Sequence, residues 1–219
     1  MRWIESESLG SARSPRLLKH WACAVLVTLA LAACGTVPLE PPPEAAPIFR
    51  RLDARVGVVY ASPARTAFLS NPLIRIEVGQ ASVARFERVF TSMFTEAVAL
   101  PDWPPWREGS TGLDGVIVLE QTDAELVLGD DGGRNPDVVR IAYRVCLYEP
   151  GGAEIRCWNP AARHSHQRHP LECLDIRSCI LPQTEICMRE AIARFMVEAE
   201  NDPALKAWVA RIARRGVSP

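Results

Sequence analysis

Apolar residues recur along this chain with two distinct periods. Arg55-Val56-Gly57-Val58-Val59-Tyr60 reads as a strand, ended by Ser62-Pro63. Ile74, Ile76 and Val78 alternate with Arg75 and Glu77, predicting a second strand with one buried face, closed by Gly79. From Ser82 the period changes. Val83, Phe86, Val89, Phe90, Met93, Phe94 and Ala97 follow one another at three and four residues and line one face of a helix, with Ser82 as its N-cap. Pro101-Asp102-Trp103-Pro104-Pro105-Trp106 then excludes regular structure. Its two tryptophans are expected to fold back on the sheet edge, a partner-binding or lipid-facing tip being the other reading.

A strand meander follows. Val116-Ile117-Val118-Leu119 begins a strand that extends toward Leu128, and the turn-rich Gly129 to Asp137 leads into Val139, Ile141, Tyr143, Val145 and Leu147, which alternate with polar or smaller residues. Pro150-Gly151-Gly152 turns the chain back into Ile155, Cys157 and Trp158. A three-residue loop with a left-handed glycine places Leu147 opposite Ile155 and Val145 opposite Cys157, the register the apolar pattern favours. Cys146 and Cys157 then point to opposite sides of the sheet and are expected not to be bonded to each other. The C-terminal part is helical: Met188, Ala191, Ile192, Phe195, Met196 and Ala199 form one face, with Thr184 as N-cap. Asn201-Asp202-Pro203 breaks and restarts the helix, and Leu205, Trp208, Val209 and Ile212 continue the packing. These elements predict an α+β fold, an antiparallel or mixed sheet with helices packed mainly on one face.

Upstream of this domain the pattern is different in kind. Trp21 to Ala33 is an uncharged, mostly apolar run of 13 residues preceded by Arg13, Arg16, Lys19 and His20. At about 1.5 Å per residue it reaches roughly 20 Å, short of a ~30 Å hydrocarbon core, and so reads as the apolar region of a signal peptide. Leu31-Ala32-Ala33-Cys34-Gly35 follows: an apolar residue, two small ones that let a peptidase approach the backbone, and a cysteine whose sulfur is the soft nucleophile for thioether formation. This resembles the lipobox of bacterial lipoproteins. The resemblance implies cleavage before Cys34 and attachment of diacylglyceryl and acyl chains there, the only covalent cofactor it calls for. With about 0.8 kcal/mol per buried methylene, several chains make the anchor effectively permanent. Glycine rather than aspartate after Cys34 implies sorting to the outer membrane, the inner membrane being the other destination. The domains expected are a signal peptide over 1–33, a lipidated N-terminus and Pro-rich stalk over 34–47, and a single α+β domain over 48–215.

Charge narrows the function classes. The 219 residues carry a formal net charge of −1, with 25 basic and 26 acidic residues. Removal of residues 1–33 takes away four basic and two acidic residues and leaves 21 basic and 24 acidic. With no basic block, a nucleic-acid partner is not expected. A Gly-rich loop after a strand, a Gly-x-Ser-x-Gly elbow and a His-Glu-x-x-His helix are all absent from the sequence, and no enzyme is expected.

The remaining candidate chemistry lies in cysteine and histidine. Besides Cys23 in the signal and Cys34, the cysteines are Cys146, Cys157, Cys173, Cys179 and Cys187, an odd number that leaves at least one thiol unpaired. Cys173, Cys179 and Cys187 are the disulfide candidates. His164, His166 and His169, with Cys173 four residues on, form a weak candidate for zinc or copper in what reads as an exposed loop. Asp130, Asp131, Asn135 and Asp137 lack the order of a calcium loop and read as a solvated hairpin turn. The layout is similar to that of small α+β lipoproteins that assist envelope assembly or transport. It implies a non-catalytic accessory subunit with an envelope-protein partner; a periplasmic metal-binding or redox protein using the histidine loop and free thiol is the alternative.

Overall fold

The computed structural model describes residues 36–39, 50–101, 112–130, 134–167 and 176–215. All of them belong to one compact unit that begins at Thr36. A mixed sheet is built from β2 (Leu52–Tyr60), β5 (Phe94–Leu100), β6 (Gly115–Val127), β7 (Asp137–Tyr148), β8 (Glu154–Trp158) and β9 (Ala161–His166). Its order is β5-β2-β6-β7-β8, with β9 also paired to β7. The β2 strand runs parallel to both neighbours, whereas β6, β7, β8 and β9 form antiparallel pairs. From Val56 to Tyr60 every residue of β2 is buried, the signature of a strand covered on both faces.

Helices α2 (Gly79–Met93), α3 (Ile176–Asn201) and α4 (Pro203–Arg215) pack on one face, after a short α1 (Ser62–Thr66). The core there is aromatic. Phe86 of α2 meets Tyr143 of β7 with ring centroids 5.0 Å apart and Phe195 of α3 at 5.8 Å, and Phe195 meets Trp158 at 5.6 Å. Such contacts tie two helices and the sheet together with more than their area alone. On the opposite face Val59, Val116 and Val118 form a smaller apolar cluster with Leu100, Leu113 and Tyr148. Gly57 lies against this cluster, and a β-carbon there would come 2.5 Å from Leu100 Cδ1, so the Leu100 side chain would have to shift. The α+β class and the helices on one face are as the pattern predicts.

A second, three-stranded sheet has the order β1-β4-β3, from β1 (Thr36–Pro38), β3 (Phe68–Ser70) and β4 (Arg75–Glu77). Leu69 and Ile76 on its inner side are fully buried, and Leu39, just past β1, is 8% exposed within the main core. The chain expected to be a stalk therefore has its first residues hydrogen-bonded to the domain, Thr36 opposite Arg75 and Pro38 opposite Glu77. Pro38 is tolerated because β1 is an edge strand, where a missing N–H costs no ladder bond.

Other expectations are corrected by the structure. Ser82 is not an N-cap. The helix starts at Gly79, and Ser82 Oγ donates to Val78 O at 2.8 Å and accepts from Tyr143 Oη at 2.8 Å. The apolar stripe through Phe94 and Ala97 leaves the helix at Met93 and continues as β5, where both residues still pack into the helix-side core. Thr184 likewise lies inside α3, bonded to Ile180 O, because the helix starts eight residues earlier, at Ile176.

The β7–β8 register also differs. The loop is the expected one, with Glu149 N donating to Ala153 O and Gly152 at φ 90°. A bulge then leaves Ile155 without a counterpart between the Tyr148↔Glu154 and Leu147↔Arg156 pairs. One extra residue exchanges the faces beyond it. Cys146 lies opposite Cys157 and the two are disulfide-bonded, with Cα atoms 4.1 Å apart.

Candidate functional site

Described residues line a groove of about 600 Å³ between the start of β2 and the α3–α4 corner. Its floor is apolar because α4 is amphipathic. Leu205 is buried, Val209 packs beside it, and Ala210 and Ala213 keep the helix surface low enough for a cleft. Ala199 of α3 and Leu52 of β2 complete the apolar lining. The rim is charged, with Arg50, Lys206, Asp53 and Glu200.

The walls are fixed by specific bonds. Arg51 donates from Nε to Phe94 O at 3.2 Å and from Nη2 to Thr95 O at 2.9 Å, holding the entering chain to the edge strand. Thr95 Oγ1 donates to Asp53 Oδ1 at 3.2 Å. On the other wall Asp202 caps α4, accepting from Ala204 N at 2.7 Å and Leu205 N at 3.2 Å. The same carboxylate lies 2.9 Å from Arg156 Nε of β8. Arg50 and Lys206 form no ion pair among the described residues and stand ready for an anion. The lining holds two carboxylates, Asp53 and Glu200, beside Arg50, Arg51 and Lys206, so the charge of the rim is mixed above an apolar floor.

A second concentration of polar groups lies inside the protein. Arg85 of α2 forms an ion pair with Glu185 of α3, both largely removed from solvent, beside the Ser82–Tyr143 hydrogen bond. Burial raises the Tyr143 phenol well above its ordinary range. Sealed between two helices and the sheet, this cluster fixes how α2 and α3 pack.

The residues singled out in the sequence are dispersed. Cys34, His169 and Cys173 lie outside the described residues, as do Trp103, Trp106 and Asp131. His164 and His166 belong to β9, opposite Val139 and Asp137, and not to a loop. Among the described residues the one grouping of three potential metal donors is Cys146, Glu154 and Cys157, whose sulfurs are bonded to each other. Of the cysteine trio, Cys179 is disulfide-bonded, whereas Cys187 is a free thiol buried under β9 and β7. Its Sγ donates to Ala162 O at 3.2 Å, and burial pushes its pKa up to about 11. A thiol so shielded is held in its protonated form at neutral pH. Asp130 Oδ1 accepts from Arg134 N and Asn135 N, and Asp137 Oδ1 from Gly129 N, which is hairpin-turn bonding.

The groove residues escaped sequence reading because Arg50 and Lys206 are far apart in the chain and each is an ordinary surface charge in its own segment.

The architecture defines a mixed-sheet α+β domain with a three-helix layer on one face. No family model matches the chain, and no curated protein matches it. Solved structures of similar layout include a Xanthomonas campestris protein of the DUF330 family, 8% identical over 75% of this chain and 94% of that one, with a TM-score of 0.44. A putative lipoprotein from Caulobacter crescentus is 15% identical over 48% and 72%, with a TM-score of 0.31. Lipoprotein GNA1162 from Neisseria meningitidis is 10% identical over 64% and 99%, with a TM-score of 0.34. At these scores none of them bears on function. No helix among the described residues is long and apolar enough to cross a membrane.

Proposed function

We propose that this chain is a bacterial lipoprotein of the outer membrane, acylated at Cys34, whose folded domain acts as a non-catalytic accessory or assembly subunit of the cell envelope. The observation that carries this reading is the lipobox Leu31-Ala32-Ala33-Cys34, placed directly after a 13-residue apolar run. A groove with an apolar floor and a charged rim supports a binding role. The test is in situ crosslinking of the full-length acylated protein in intact envelopes, with a photoreactive amino acid in place of Lys206. The expected product is a discrete adduct with one envelope protein. Recovery of lipid alone would remove the protein-partner role.

A further inference from the structure

We propose that the tip of the small β1-β4-β3 sheet, the β3–β4 turn, is seated on the lipid leaflet that holds the acyl chains, with Leu73 entering the interface and Arg75 at headgroup level. The proposal rests on acylation at Cys34 and adds to it an orientation: the tether is short and the domain has a lipid-facing end. Cys34 precedes Thr36 by two residues, so at roughly 3.3–3.6 Å per residue the two lie within about 7 Å. Thr36 is not free to wander, because β1 is paired in parallel with β4, Thr36 opposite Arg75. Thr36, the first described residue after Cys34, thereby stands at the end of this sheet where β3 turns into β4.

That same end presents Leu73, in the β3–β4 turn and 65% exposed, whereas Phe68, 39% exposed, lies at the other end of the ladder, opposite Glu77. The turn holds Leu73 outward: Asn71 Oδ1 accepts from Leu73 N at 2.8 Å and Ile74 N at 2.9 Å, while Asn71 N donates to Ile74 O. Beneath it Leu69, Ile76 and Ile74 are anchored in the core, so the tip is stiff. Arg75 stacks over Phe68, its guanidinium carbon 3.7 Å from the ring centroid. An arginine stem on an aromatic ring beside an exposed leucine is the arrangement that partitions into a headgroup boundary, apolar atoms inward and cation among phosphates. The carboxylate of this face, Glu77, sits with its cross-strand partner Phe68 at the opposite end of the ladder from Thr36, beside Pro38.

The test uses the full-length acylated protein reconstituted into phosphatidylethanolamine–phosphatidylglycerol vesicles. Leu73→Cys is labelled with an environment-sensitive fluorophore and compared with Val197→Cys, an equally exposed apolar position on α3. The label at position 73 is expected to be quenched severalfold more by spin-labelled lipid than the label at 197, and less by aqueous iodide. Protein that cosediments with vesicles while position 73 is quenched no more than position 197 overturns the seating and leaves the anchor standing. Protein that fails to cosediment overturns both.

Discussion

Removal of the Asp202 carboxylate tests how the groove wall is held. Asp202 is 6% exposed and performs two tasks: it caps α4 through two backbone N–H groups, and it meets the half-exposed Arg156 of β8 at 2.9 Å. Loss of an N-cap costs about 1 kcal/mol, within a range of about 0.5–2. The ion pair, with one partner in solvent, contributes at most about 1 kcal/mol. Asp202→Ala, which loses both, is therefore expected to destabilise by about 1–3 kcal/mol, a drop in Tm of roughly 2–4 °C per kcal/mol for a domain of this size. Asp202→Asn keeps a capping oxygen and loses the charge, so it should recover at least the cap. Arg156→Met should cost no more than the pair. Thermal and urea unfolding of the three variants, disulfides intact, measures each term. If Asp202→Asn proves as damaging as Asp202→Ala, the cap is not what holds α4, and the account of this wall is wrong.

Three further outcomes follow from the same structure. Replacing Cys146 and Cys157 together by alanine opens a loop of 11 residues and should cost about 2–3 kcal/mol, read from urea midpoints against the oxidised protein. Cys187 should resist alkylation in the native protein at pH 8 and react once denatured; because its pKa rises to about 11 from an ordinary 9.0, it favours the folded state below pH 9, and that contribution should be lost as pH climbs from 9 to 11. In an alkaline titration, stability should fall more steeply between pH 9 and 11 in wild type than in Cys187→Ala, which keeps the loss that buried Tyr143 contributes above its ordinary pKa of 10.0. Leu39→Ala should cost about 2 kcal/mol by emptying a core position and should raise hydrogen exchange across residues 36–39, since Leu39 fastens β1 to the domain.

Much of the fold was legible because local chemistry and tertiary packing agree. The meander strands carry their alternation, and Asn201-Asp202-Pro203 ends one helix and starts the next by capping chemistry alone. Where tertiary pairing decides, the sequence is silent. Ala161 to His166 has no apolar alternation, and it is a strand because β7 offers it an edge. Thr36 to Pro38 is disguised by the prolines that follow it, yet Leu39 finds the core. The Cys146–Cys157 bond was hidden by a single bulge at Ile155, which turns the right loop into the opposite register. The groove joins Arg50 to Lys206 across the domain, and no local pattern announces such a pair.

The central claim is that Cys34 becomes the acylated first residue of the processed protein. Mass spectrometry of the product isolated from envelopes tests it most directly. An N-terminal peptide beginning at Cys34 and carrying diacylglyceryl and acyl mass, together with release of a Cys34→Ser form from membranes, is the expected result. An unmodified thiol at the processed N-terminus, or a Cys34→Ser protein that still sediments with membranes, would contradict it.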